Sequence, residues 1–185
     1  MLNERQASLD ARKLKITCVV PVHNEAEGIV DFLTNLYQEI TKLTAQCEII
    51  VVDDGSTDGS DIVIQPLIKT LNLKLIKLSR NFGKETALTA GLDHCTGDVT
   101  IILDADFQHP INMIEKFLGQ WALGYDMVYG VRQNRNNESR LKRWFTQNFY
   151  NLMRQITKIN IVPNAGDFRL LSKKCCYRDK PMRGT

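Results

Sequence analysis

The sequence predicts an α/β fold in which helices flank a mostly parallel sheet. Short runs rich in β-branched residues alternate along the chain with amphipathic helical patterns, which is typical of βαβ units. Polar turns follow these runs and hold most of the distinctive acidic residues. A chain of 185 residues with a hydrophobic content of 43% can bury the core of one domain, and this composition excludes a disordered chain.

The alternation places five strands and four helices in order. The strands are expected at residues 15–21, 47–53, 73–79, 99–104 and 127–131. The helices are expected at residues 26–44, 58–70, 84–95 and 111–123. Because right-handed crossovers bring the carboxyl ends of parallel strands to one edge of a sheet, the turns that follow these strands should converge on one crevice.

The turn after the fourth strand is the most informative segment. The apolar run 99–103 reads as a buried strand and is followed by Asp104-Ala105-Asp106-Phe107-Gln108. Carboxylate and amide oxygens at alternating positions suit Mg²⁺ or Mn²⁺, and such a cation could neutralise a diphosphate leaving group. An acidic turn with no ligand is the alternative interpretation.

Two earlier turns carry polar residues at strand ends. The second strand ends in Asp53-Asp54-Gly55-Ser56, which is either an ordinary strand-to-helix loop or a pair of carboxylates placed to hydrogen-bond a nucleobase or ribose. The first strand ends in Pro21-Val22-His23-Asn24-Glu25. Both turns should line the same crevice as the Asp104–Gln108 turn.

These three segments together resemble the family 2 inverting glycosyltransferases. The likeness spans residues 14–172 and is supported by segments 79–84, 129–132 and 164–171. It is nearest to the polyprenyl-phosphate branch, which includes bactoprenol-phosphate glucosyltransferases and dolichol-phosphate mannose synthase. The resemblance implies a glycosyltransferase A-type fold. It also implies an enzyme that moves a sugar from a nucleoside-diphosphate sugar to a polyprenyl phosphate with inversion, using Mg²⁺ or Mn²⁺.

The resemblance also implies roles for individual residues at the donor side. UDP-glucose is the first expectation for the donor, and other nucleotide sugars stay open. The metal ligands implied are Asp104, Asp106 and Gln108. The implied nucleotide-sugar site comprises Pro21, His23, Glu25, Asp53, Asp54, Lys84, Asp104, Ala105 and Arg132. For Lys84 a structural ion pair is an equal alternative to a phosphate contact.

On the acceptor side the implied phosphate ligands are Arg132, Arg143 and Gln147, since a guanidinium pairs well with phosphate. Gln147 departs from the hydroxyl residue expected there. Asp167 occupies the place of the catalytic carboxylate, and Asp106 is expected to act in catalysis through the metal. Because a phosphate acceptor is largely ionised near pH 7, Asp167 is expected to orient the acceptor or anchor Arg169. A salt bridge alone is the alternative.

Charge is distributed unevenly along the chain. Residues 1–131 carry a net charge of −7 and residues 132–185 a net charge of +10. The basic part is either a solvated helix and tail or a surface that faces an anionic membrane or a phosphate. It includes an expected amphipathic helix at 141–158, whose apolar face either packs on the core or lies at a membrane interface. No apolar run reaches the roughly 18 residues of a membrane span. With the polyprenyl-phosphate acceptor that the resemblance implies, we expect a protein at the cytoplasmic face of a membrane, with no nucleic-acid partner and oligomerisation open.

The expected organisation is a polar extension at 1–13, a catalytic domain at 14–172 and an atypical tail at 173–185. The tail lacks the apolar helical pattern expected next, which predicts a truncated domain. Two alternatives follow: a catalytically silent remnant that binds a nucleotide sugar, and a family 2 transferase with a soluble glycan acceptor. The five cysteines are expected to be reduced and mostly buried.

Overall fold

The computed structural model describes residues 4–7, 13–105, 113–131 and 165–178. Their six strands are β1 (Lys15–Val22), β2 (Gln46–Asp53), β3 (Leu73–Lys77), β4 (Val99–Ile102), β5 (Met127–Val131) and β6 (Ala165–Ser172). Their helices are α1 (Ile29–Leu43), α2 (Ser60–Ile64), α3 (Leu67–Thr70), α4 (Lys84–Asp93), α5 (Met113–Ala122) and α6 (Lys173–Arg178), and residues 4–7 add one helical turn.

The strands form one sheet in the order β3-β2-β1-β4-β6-β5. β1 pairs in parallel with both β2 and β4, β2 pairs in parallel with β3, and β6 runs antiparallel to β4. The mostly parallel α/β sheet is therefore confirmed. In the register of the sheet Val22 lies opposite Asp53, and Asp53 opposite Lys77, so the first three strands end together.

Helices cover both faces of the sheet. Alternate residues of β1, such as Ile16 and Val20, face the larger core that includes the buried sides of α1 and α5. Val19 faces the other way, into a cluster with Leu88 of α4. Gly91 of α4 allows this close approach, because a Cβ there would lie 2.4 Å from Cγ1 of Val19.

Several element boundaries differ from the sequence predictions. The helix expected at 58–70 is two helices, because Pro66 has no N–H for a continuous helical ladder and instead lies at the start of α3. β3 and β4 each end two residues earlier than expected. β6 was not predicted as a strand, because its membership of the sheet depends on pairing with the distant β4.

A buried polar cluster lies near the amino-terminal ends of the central strands. Glu48 is 6% exposed, and its Oε2 accepts hydrogen bonds from the hydroxyls of Thr17 and Thr96, each at 2.8 Å. Its Oε1 accepts a 2.6 Å bond from the Lys74 ammonium. Burial acts to raise the pKa of Glu48, but the bonds from Lys74, Thr96 and Thr17 outweigh it and lower the pKa.

Both ends of the described chain contact distant parts of the chain. The guanidinium of Arg5 contacts the Asp126 carboxylate at 2.5 Å and lies 5.1 Å from the ring centroid of Trp121. Residues 173–178 form α6, so this part of the expected atypical tail is helical. The backbone N–H of Lys173 donates to the Asp98 carbonyl at 2.9 Å.

Cys18 and Cys47 are buried and carry free thiols, as expected. Burial raises the pKa of both, that of Cys47 to about 12. Within the described part of the chain, no helix is long and apolar enough to cross a membrane. Residues 129–166 form a second compact unit, in which 129–131 and 165–166 are described. The expected helix at 141–158 lies outside the described residues.

Candidate functional site

The loops that follow β1, β2, β3 and β4 line one pocket at the carboxyl-end edge of the sheet. Its walls include seven of the residues predicted for the nucleotide-sugar site: Pro21, His23, Glu25, Asp54, Lys84, Asp104 and Ala105. A second recess adjoins it and contains an eighth, Asp53. The two recesses share His23 and Asn81. The expected convergence of the strand-end turns is therefore present in the structure.

Asp54 joins three of these loops. Its carboxylate accepts backbone hydrogen bonds from Phe82 at 2.8 Å and from Gly83 at 2.9 Å. Its backbone N–H donates to the Val22 carbonyl at 2.8 Å, and its own carbonyl contacts His23. Since both carboxylate oxygens already bind the loop after β3, Asp54 holds that loop against the ends of β1 and β2.

Asp53 is buried, with 1% of its surface exposed, and only one of its two carboxylate oxygens accepts a hydrogen bond from a described residue. Oδ1 accepts a 2.9 Å bond from the backbone N–H of Ser56. Oδ2 has no hydrogen-bond partner among the described residues. A buried carboxylate oxygen without a donor is costly, so this atom is a ready acceptor for a ligand that brings an N–H or O–H group.

The loops after β2 and β3 approach each other closely at Gly55. Its φ is +65°, and a Cβ at this position would lie 2.4 Å from the carbonyl carbon of Arg80. Arg80 in turn stacks its guanidinium 4.8 Å from the ring centroid of Phe82. A glycine is needed at 55 because any side chain would push the two loops apart.

Lys84 and Asp104 form an ion pair across the first pocket. The ammonium lies 2.6 Å from Oδ1 and 2.8 Å from Oδ2 of the carboxylate. Both side chains are partly exposed, at 37% and 20%. This pair is the structural alternative considered for Lys84, and it places the ammonium against the carboxylate that follows β4.

The loop after β1 is fixed to the start of α2. The hydroxyl of Ser60 accepts a 2.9 Å bond from the N–H of Glu25, and the carboxylate of Asp58 accepts a 2.9 Å bond from the N–H of Ala26. The bond from the Ser60 hydroxyl, joined by the bond from Ala26, lowers the pKa of Asp58. Glu25 therefore enters the pocket from an anchored backbone.

Comparison with protein families decides the assignment of this chain. Residues 17–178 match the model of glycosyl transferase family 2. This chain belongs to glycosyl transferase family 2. The match ends at residue 178, six residues beyond the resemblance predicted for residues 14–172, and so includes α6.

Curated relatives of this family 2 chain include the bactoprenol glucosyl transferase of Shigella phage SfX. It is 41% identical over 162 residues, which cover 87% of this chain and 53% of the relative. A glycosyltransferase of Synechocystis, sll0501, is 38% identical over 162 residues, covering 87% of this chain and 51% of that protein. The family 2 chain therefore spans about half the length of the curated relatives it matches.

Solved structures show the fold of this family 2 chain. The mannosyltransferase PcManGT from Pyrobaculum calidifontis, in complex with GDP-Man and Mn²⁺, superposes with a TM-score of 0.63 at 26% identity. The superposition covers 89% of this chain and 46% of that one. The fold is of the glycosyltransferase A type, as the sequence resemblance implied.

Some predicted site residues of the family 2 chain lie outside the described residues. These are Asp106 and Gln108 for the metal, and Arg132, Arg143 and Gln147 for phosphate. Asp167 lies in β6, and its side chain is likewise not described. In the described part of the chain, no group of three acidic, histidine or cysteine side chains could hold a metal ion. The roles of these residues stay predictions.

Sequence reasoning missed two residues that organise the described pocket. Asn81 lines both recesses, and Ser56 donates its N–H to Asp53. Both lie in segments that resemble the family, but neither carries charge, whereas the predicted ligands are mostly carboxylates and cations. A usable signal is their position in loops that follow strands, where open α/β sheets bind ligands.

Proposed function

We propose that this chain transfers a sugar, glucose first, from a nucleoside-diphosphate sugar to a polyprenyl phosphate with inversion. The observation that carries this proposal is the pocket built by four strand-end loops beside Oδ2 of Asp53, a buried oxygen that no described residue hydrogen-bonds. The 41% identity to a bactoprenol glucosyl transferase supports the acceptor class. This chain spans about half the length of such relatives. The sugar transfer is therefore proposed for the domain that this chain contains.

The donor's nucleoside is assigned to the recess at Asp53. Oδ2 would accept a hydrogen bond from the base or the ribose, which would satisfy the buried oxygen. Asp54 would act indirectly, by holding the loop at Phe82 and Gly83. Pro21, Glu25 and Ala105 would line the path from the nucleoside towards the sugar.

A divalent cation fits the donor set at the end of β4. Carboxylate and amide oxygens are hard ligands, and Mn²⁺ accompanies GDP-Man in the Pyrobaculum structure. Because Lys84 contacts both oxygens of Asp104, we assign the cation first to Asp106 and Gln108. Mg²⁺ or Mn²⁺ bound there would neutralise charge on the departing diphosphate. Lys84, which lines the pocket, would supply a further positive charge to the diphosphate.

The acceptor side is assigned to the basic part of the sequence. Arg132, Arg143 and Gln147 would bind the polyprenyl phosphate, and Asp167 would orient it. An ionised phosphate oxygen can attack the anomeric carbon from the face opposite the diphosphate, which gives inversion. The net charge of +10 on residues 132–185 would favour an anionic membrane, where a polyprenyl phosphate resides.

The test is transfer of radiolabelled glucose from UDP-glucose to polyprenyl phosphate in phosphatidylglycerol vesicles. We expect lipid-linked product with Mn²⁺ or Mg²⁺, and none with EDTA or with Asp106→Ala. The chain should also sediment with the vesicles. UDP titration by calorimetry measures donor binding separately from transfer. UDP binding without lipid product would favour a catalytically silent remnant. Transfer of glucose to a water-soluble glycan would favour the alternative acceptor. Equal UDP affinity of wild type and Asp106→Ala with Mn²⁺ and with EDTA would remove the metal assignment.

A further inference from the structure

His23 lies where the loops after β1, β2 and β3 meet. Its Nδ1 is 2.9 Å from the carbonyl oxygen of Asp54. Its Nε2 is 3.0 Å from Nδ2 of Asn81 and 3.3 Å from Nδ2 of Asn24. One imidazole ring therefore contacts a residue of each of the three loops that contribute to both recesses.

The partners of the ring fix the position of its proton. A carbonyl oxygen can only accept a hydrogen bond, so Nδ1 must carry the hydrogen that is donated to Asp54. An amide nitrogen can only donate, so Nε2 must present its lone pair to Asn81 and Asn24. The ring is then neutral and protonated at Nδ1.

The orientations of the two asparagine amides are set independently of the ring. The backbone N–H of Gly83 donates to Oδ1 of Asn81 at 3.0 Å, and that of Thr57 donates to Oδ1 of Asn24 at 2.9 Å. Each bond requires an oxygen at that position, which leaves the amide nitrogen facing His23. The assignment of the tautomer therefore rests on backbone donors and a backbone acceptor, whose chemistry is fixed.

We propose that His23 is a positioning residue, whose neutral Nδ1–H tautomer holds the three loops in the arrangement that binds the nucleotide; this rests on the proposed function. The ring and Asn81 border both recesses, so a shift of either changes the wall between them. Asn24 is held with φ at +57° by the same set of contacts, including a 3.0 Å bond from its N–H to the Ser56 hydroxyl. Loss of the ring releases both asparagine amides at once.

The first measurement needs no nucleotide. In ¹⁵N-labelled protein near neutral pH, the His23 signals should show a protonated Nδ1 and an unprotonated Nε2, with assignment from His23→Ala spectra. The side-chain amide signals of Asn81 and Asn24 should move in His23→Ala and stay in place in His94→Ala. A ring protonated at Nε2, or amide signals that do not respond to His23→Ala, would overturn the proposal.

The second measurement is UDP affinity by calorimetry. His23→Ala should weaken UDP binding about fivefold to tenfold, which corresponds to the net loss of one hydrogen bond. His23→Asn should recover part of that loss, because its amide N–H can still reach the Asp54 carbonyl. The matched control is His94→Ala, since the His94 ring hydrogen-bonds the Ala90 carbonyl one turn back in α4 and lines neither recess.

The two proposals fail in different ways. If wild type binds UDP and His23→Ala binds it equally well, or if His23→Asn is no better than His23→Ala, the positioning role is refuted while donor binding stands. If wild type binds no UDP-sugar and no GDP-sugar, the proposed function fails, and so does the part of this inference that concerns nucleotide affinity. The tautomer and the amide signals then still decide whether His23 joins the three loops.

Discussion

Two buried carboxylates of β2 differ in the number of hydrogen bonds that the described residues donate to them. Glu48, near the start of the strand, has donors on both oxygens: the Thr17 and Thr96 hydroxyls and the Lys74 ammonium. Asp53, at the end of the same strand, has one donor on Oδ1 and none on Oδ2 among the described residues. The two residues are similarly buried, at 6% and 1% exposure.

The difference separates a stabilising cluster from a binding site. At the amino-terminal edge three neighbouring segments direct side-chain donors at Glu48, so no donor from a ligand is needed. At the carboxyl-end edge the side chains of Asp54 and Asn81 bind loop backbone, and Oδ2 of Asp53, beside a recess, has no donor among the described residues. Stability should therefore depend on Glu48 and nucleotide affinity on Asp53.

The largest expected effect is on stability. Glu48→Ala should lower the free energy of unfolding by about 3 kcal/mol, because it removes the acceptor of two hydroxyls and leaves the fully buried Thr17 without this bond. Urea unfolding followed by circular dichroism measures the change. UDP affinity of the folded variant should match wild type. A stability loss below about 1 kcal/mol would show that the cluster is not a stabilising one.

The next effect is on binding. Asp53→Asn should weaken UDP affinity by about 1.5–3 kcal/mol, with or without metal, because a hydrogen bond to a charged oxygen is lost. The free energy of unfolding should change little, since Oδ2 has no partner to lose in the described structure. The matched control is Glu48→Gln, which alters the other buried carboxylate of β2. If both variants bind UDP like wild type, Asp53 does not contact the nucleoside.

The sequence predicted those parts of the fold that local patterns determine. The apolar runs of β1, β2 and β4 and the heptad-like spacing of α1 are visible in the sequence, and their alternation leads to the parallel sheet and to the convergence of the turns. β5 was placed at its observed bounds, 127–131. These features need no knowledge of distant contacts.

The features that could not be predicted from the sequence are contacts between segments that are distant along the chain. Glu48 and Thr96 are 48 residues apart, and β6 finds its place only beside β4. Asp54 was expected to contact the nucleotide, whereas its carboxylate binds the N–H groups of Phe82 and Gly83, 28 and 29 residues away. The carboxylate after a strand is visible in the sequence, but only the fold shows which backbone groups it contacts.

The smallest expected effect is the pH dependence of stability at Glu48. Burial raises the pKa of this carboxyl, and the bonds from Lys74, Thr96 and Thr17 outweigh it, so the pKa in the folded chain is lowered from 4.5. A carboxyl with a lowered pKa in the folded state contributes stability that is complete above its unfolded pKa and is lost as the pH falls through its folded pKa.

The comparison of wild type with Glu48→Gln isolates this contribution, since all other carboxyls titrate in both proteins. The difference in free energy of unfolding should be constant from about pH 7 to about pH 5 and should shrink as the pH falls below about 4.5, by roughly 1.4 kcal/mol for each unit by which the pKa is lowered. Urea unfolding over this range measures it. A difference that stays constant or grows on acidification would mean that Glu48 has no lowered pKa, and that the cluster around it does not favour the charged carboxylate.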